Sequence, residues 1–116
     1  MAKIKIWHNP RCSKSRAGLQ YLHNKELEVE VFEYMKDEID PAELARLIEQ
    51  SGQPLEEFIR TNEPEYKALG LKGQSLTVEA FAKIAAEHPR LLQRPIIVKG
   101  DKAILGRPAA RIDEIL

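Results

Sequence analysis

The stretch from Lys3 to Tyr34 changes its hydrophobic period twice, and that change constrains the fold more than any other feature. "KIKIW" (residues 3–7) alternates polar and apolar side chains, the period of a strand. Asn9-Pro10 then signals a turn. From Ser13 the period becomes helical, with Ala17, Leu19, Tyr21 and Leu22 as the apolar face, Ser13 or Ser15 as the cap and Asn24 as the stop. "VEVFEY" (residues 29–34) alternates again. Strand, loop, helix and strand in so short a span open a parallel βαβ unit.

The middle of the chain reads as helices. "DPAELARLIEQSG" has a capping Asp40, Pro41 at the first helical position and Gly52 at the end. "QPLEEFIRTN" and "PEYKALGL" form two shorter helical pieces, broken at Pro54, Pro64 and Gly70. "SLTVEAFAKIAAEHP" is capped at Thr77 and stopped by Pro89, with Val78, Phe81, Ile84 and Ala85 facing inward. "PIIVKGDKAILG" returns to strands as a hairpin turning at Gly100-Asp101, and "RPAARIDEIL" closes as a helix behind Pro108. The order β-α-β, several helices, then β-β-α resembles an α/β thioredoxin-like fold with a helical insertion at about residues 40–90. One domain over residues 1–116 is the expectation, since Pro and Gly sit at element boundaries and no repeat or linker interrupts the chain.

Charge is unevenly distributed although the formal net charge is zero. Residues 1–25 carry six Lys or Arg and no acid, a local balance of +6; residues 26–65 stand at −10 and residues 66–116 at +4. A basic N-terminal segment suits an anionic substrate. A nucleic-acid partner is not expected, because the basic residues lack interleaved aromatics. No apolar run approaches the roughly 18 residues of a membrane span, and "MAKIKIW" lacks the apolar core of a leader peptide. The three histidines, His8, His23 and His88, are scattered, so no metal site is expected. A single cysteine excludes an internal disulfide and suits a reducing, cytoplasmic setting.

That cysteine, Cys12, lies among His8, Asn9, Pro10, Arg11, Ser13, Lys14, Ser15 and Arg16. An inert buried thiol is the ordinary alternative, but this is no core neighbourhood. A free thiol of pKa about 8.5 is only about 3% thiolate at pH 7. A helix N-terminus stabilises an anion by about 0.3–1 kcal/mol, and an Arg at roughly 6 Å with effective dielectric ~20 adds about 2–3 kcal/mol. Together they make the thiolate the major form. The same N–H groups form an oxyanion cradle. A phosphatase loop fails, since the sixth residue after Cys12 is Gly18 and not Arg, and a C-x-x-C redox pair fails at Ser15. Oxidised Cys12 therefore needs an external thiol to reduce it.

"HNPRCSKSR", with "IR" at 59–60, "RP" at 94–95 and "GRP" at 106–108, closely resembles the glutaredoxin-coupled arsenate reductases of the ArsC family, over nearly the whole chain. The resemblance implies that Cys12 attacks arsenate to give a covalent adduct. It implies that Arg60, Arg94 and Arg107 hold the oxyanion and stabilise the thiolate, and that His8 tunes the ionisation of Cys12. Ser15 would support the site, and Pro95 falls where thioredoxin-like folds place a cis-proline. Glutathione would act as the reducing co-substrate, with no tightly bound cofactor, and glutaredoxin would clear the resulting mixed disulfide. Arg11, Ser13 and Lys14 depart from the smaller residues of well-known members.

Two other readings stay open. Cys12-Ser-Lys-Ser15 is similar to the C-x-x-S of monothiol glutaredoxins, which exchange thiols or hold an iron–sulfur cluster. A non-enzymatic adaptor, similar to the Spx-type regulators that bind RNA polymerase, would keep the fold without the chemistry. Three arginines favour the oxyanion reading, because thiol exchange needs no oxyanion clamp.

Overall fold

A computed structural model describes residues 3–116. Met1 and Ala2, the first residues of the "MAKIKIW" stretch expected to be no leader peptide, lie outside it. Strand β1 (Ile4–Trp7), helix α1 (Ser13–Asn24) and strand β2 (Val29–Phe32) form the opening unit, with β1 and β2 parallel as the sequence predicts. Helices α2 (Pro41–Ser51), α3 (Pro64–Ala68) and α4 (Val78–Glu87) follow, with 3-10 helices at Leu55–Phe58 and Pro89–Leu91. Strands β3 (Ile96–Lys99) and β4 (Lys102–Leu105) form the expected hairpin, and a 3-10 helix (Ala109–Ile115) ends the chain. The last helix is thus tighter than an ordinary α-helix. The sheet runs β2-β1-β3-β4, with β3 antiparallel to both of its neighbours. This is the thioredoxin-like arrangement with helices inserted between its halves.

Alternation along the strands buries both faces of the sheet. Ile4, Ile6, Ile97 and Ile104 turn to one face and pack with Leu22 of α1 and with Ile112 and Ile115 of the terminal 3-10 helix. Trp7, Ile96 and Leu105 turn to the other, where Leu44, Ile48, Phe58 and Phe81 of the inserted segment cover them. Each of these large side chains contributes about 1.5–3 kcal/mol on burial. Period-two patterning thus supplies two cores, one for α1 and one for the insertion.

Local chemistry explains the helix ends. Asp40 accepts a hydrogen bond from the Ala42 N–H at 3.0 Å and Thr77 accepts from Ala80 N–H at 3.1 Å, both as the sequence predicts. Gly52 ends α2 with φ 68°. The start of α1 differs from expectation. Neither Ser13 nor Ser15 caps it; the N-cap residue is Cys12, without a side-chain cap. Its buried residues are Ser15, Gly18 and Leu22, whereas Ala17 is exposed. The inner face carries small and polar groups because it packs against the site and not only against a core.

Candidate active site

Strand register gathers the site at one end of the sheet. Trp7 pairs with both Phe32 and Ile96, and Ile96 pairs with Leu105. The segment after β1 (His8 to Cys12), the segment after β2 (Tyr34), the segment before β3 (Arg94) and the segment after β4 (Arg107) therefore emerge together. The C-terminal end of adjacent parallel strands is where open α/β sheets bind ligands. The insertion adds Arg60: Ile59 and Leu92 form an antiparallel bridge, and the Arg60 N–H donates to the Leu91 carbonyl at 2.8 Å.

Cys12 is partly exposed, with extended backbone (φ −97°, ψ 124°), and its carbonyl accepts the Arg16 N–H at 3.0 Å. Its thiol is lowered to about 7. Burial alone pushes the thiol up; hydrogen bonding from the Ser15 N–H, the adjacent Arg94 guanidinium and the Lys14 N–H more than offset it. At neutral pH about half of Cys12 is then thiolate. The local cations do not do this. Arg11, Lys14 and Arg16 are exposed, and Arg16 donates to the Pro10 carbonyl at 2.8 Å.

Arg94 is only 8% exposed, so its charge needs an anion beside it. The Arg94–Pro95 peptide is cis, as is Arg107–Pro108. Pro95 contacts α1 at Gly18, where a Cβ would lie 2.7 Å from the Pro95 Cγ. Arg107 donates to the Arg94 carbonyl at 3.2 Å. Arg60 and Arg107 line one polar cavity of about 190 Å³ with Ile59, Thr61, Asn62 and Gln93. The Arg60 guanidinium is bound to Glu63, which also accepts from Arg90 at 3.1 Å.

Ser15 joins the remaining residues. Its Oγ, fully buried, accepts the Asn9 N–H at 2.9 Å and lies 2.7 Å from His8 Nδ1. Burial lowers His8 below its ordinary value, Glu33 opposes this and Arg16 reinforces it. Neutral His8 then accepts the single Ser15 hydroxyl proton at Nδ1, an assignment that follows from the hydrogen-bond inventory. Ser15 thus meets His8 through its side chain and Cys12 through its backbone. His8 reaches the thiol by way of Ser15.

One residue escaped sequence reasoning. Tyr34 reads there only as the end of a strand, yet it is 1% exposed and stands among Arg94, Cys12 and Arg60. Burial pushes its phenol up to about 12, so it remains a protonated donor. Register alone would have signalled it, since a residue just past β2 lies beside the loop after β1.

Comparison with known proteins identifies the family. The family model described as the ArsC family matches residues 7–115. An arsenate reductase of Neisseria meningitidis serogroup A is 39% identical over the full length of both chains. The uncharacterized protein YfgD of Escherichia coli is 40% identical, covering 98% of this chain and 97% of its own. The solved structure of an arsenate reductase from Vibrio cholerae superposes with a TM-score of 0.90 at 38% identity, covering 99% of this chain and 98% of its own. A full-length match in sequence, joined to the same overall fold, shows that this chain belongs to the ArsC family.

Proposed function

We propose that the protein is a thiol-dependent reductase of arsenate, with Cys12 as nucleophile. The observation that carries this reading is the Cys12 thiol, held at about 7 beside the buried Arg94. The Cys12 thiolate attacks arsenic; an S–As bond forms and one As–O bond breaks, the oxygen leaving as water after protonation. Arsenic is still pentavalent at this stage. Glutathione then supplies the second thiol. Two thiols become one mixed disulfide on Cys12, and the two electrons released take arsenic to arsenite. Glutaredoxin resolves the disulfide and regenerates Cys12.

The arginines suit such a substrate, since guanidinium groups grip tetrahedral oxyanions through paired hydrogen bonds. Arg94 faces the thiol, while Arg60 and Arg107 share the neighbouring cavity. His8, through Ser15, orients the loop that carries Cys12. The absence of a second cysteine makes an external thiol necessary.

The test is arsenite formation from arsenate with glutathione and glutaredoxin, comparing the wild type with Cys12→Ser. Turnover that disappears in the variant establishes the nucleophile. No turnover by a wild-type protein whose thiol still titrates near neutrality would overturn the substrate and leave a reactive monothiol.

A further inference from the structure

Tyr34 combines complete burial with an unsatisfied hydroxyl. Its ring stacks on Trp7, with centroids 6.3 Å apart and planes inclined at 29°. Its Oη has no hydrogen-bond partner among the described residues, and neither has the Nε of the buried Arg94. Buried polar groups are nearly always paired, and an orphaned one is destabilising. Phenylalanine would fill the same space without that cost, so packing gives no reason for the hydroxyl. The charged groups that act on it electrostatically are Arg94, Cys12 and Arg60. Arg94 comes close without making a bond of proper geometry.

Two unpaired donors beside a nucleophilic thiol are matched to an acceptor that arrives from outside. An oxygen of a tetrahedral oxyanion is a strong, charged acceptor of this kind; the sulfur of a neutral thiol or disulfide substrate is only a weak one. We propose that Tyr34 is an oxyanion-binding residue, its Oη–H donating to an oxygen of the substrate while Arg94 holds that substrate against Cys12. This rests on the reductase reading given above. A neutral donor placed at one oxygen adds directional selection to the general attraction of the arginines. It also ties the site to oxyanions and away from simple thiol exchange.

The experiment is protection of Cys12 from iodoacetamide by increasing arsenate, in the wild type and in Tyr34→Phe, with melting temperature and the pH midpoint of alkylation measured alongside. Losing one hydrogen bond to a charged ligand predicts that Tyr34→Phe needs about tenfold more arsenate, or higher, for the same protection. The alkylation midpoint stays at the wild-type value, and the melting temperature is equal or higher because an orphaned hydroxyl is gone. Equal protection of both proteins overturns the role of Tyr34 and leaves the reductase reading intact. A lower melting temperature in the variant overturns it too, since the hydroxyl would then be satisfied within the fold. If arsenate fails to protect even the wild type, the reductase reading falls and the Tyr34 proposal falls with it.

Discussion

Trp7 of β1 pairs with Ile96 of β3, and this register sets Cys12 against Arg94. Five residues past Trp7 comes the thiol; two residues before Ile96 comes the guanidinium. Because β1 and β3 run antiparallel, the segment leaving one and the segment entering the other meet at the same end of the sheet.

The pairing of thiolate and guanidinium predicts the pH dependence of the protein. Alkylation of Cys12 is expected to rise with pH through a midpoint of about 7. In Arg94→Ala the midpoint should move up toward that of an ordinary thiol. The thiol's folded value lies below its unfolded one, so its contribution to stability is present above the unfolded value of about 8.5 and is lost as pH falls through the folded value. Urea unfolding at several pH values checks the sign, and Cys12→Ser should remove that part of the dependence. An unchanged midpoint in Arg94→Ala would show that the helix N-terminus alone stabilises the thiolate.

Ser15→Ala separates the two functions of that residue. The substitution strands the Asn9 N–H and the His8 Nδ1, both in buried surroundings, while leaving the Ser15 N–H beside the sulfur. Stability should fall by about 2 kcal/mol or more. The alkylation midpoint should shift far less than in Arg94→Ala. A large upward shift with little destabilisation would show instead that the side chain acts on the thiol directly.

Gly18→Ala sets helix propensity against sterics. Alanine in a helix is favoured over glycine by about 1 kcal/mol, but its Cβ would fall 2.7 Å from the Pro95 ring. Overpacking costs about 1–3 kcal/mol, and a proline ring cannot rotate away, so a net loss of about 1 kcal/mol is expected by denaturant titration. Net stabilisation would show that α1 slides freely over Pro95.

Glu63→Gln tests whether Arg60 is held back from substrate. Glu63 binds the Arg60 guanidinium three residues away. Releasing a partly exposed pair of this kind is worth about 0.2–1 kcal/mol, so the KM for arsenate should fall by about 1.4- to fivefold. A rise in KM would mean that Glu63 orients Arg60 for binding and does not compete with the anion.

Glycine and aspartate positions show how far local chemistry reaches. Asp40, Thr77 and Gly52 mark helix ends correctly because capping acts within about one turn, and the hairpin at Gly100-Asp101 follows for the same reason. Cys12 and its basic neighbours are legible, but the sequence leaves open whether Arg11, Lys14 and Arg16 act on the thiol or face water. In the structure those cations face solvent. The assignments of His8, Arg60, Arg94 and Arg107 came from resemblance, since nothing in their spacing says which of them meets Cys12. Ser15 reads as one of two candidate helix caps and, through the resemblance, as a supporting residue; the structure makes it the link between His8 and the loop.

The sequence by itself determined the order of strands and helices, most of their capped ends, the parallel opening unit and the presence of one cysteine at a helix mouth. Those properties rest on dihedral preferences, side-chain period and capping, all of which act over a few residues. Only the tertiary structure decided that Arg94 faces the thiol, that Glu63 binds Arg60, that Gly18 admits Pro95 and that Tyr34 carries an unpaired hydroxyl into the site. These relationships depend on strand register and on burial of both sheet faces, and both are set by contacts between residues distant in the chain.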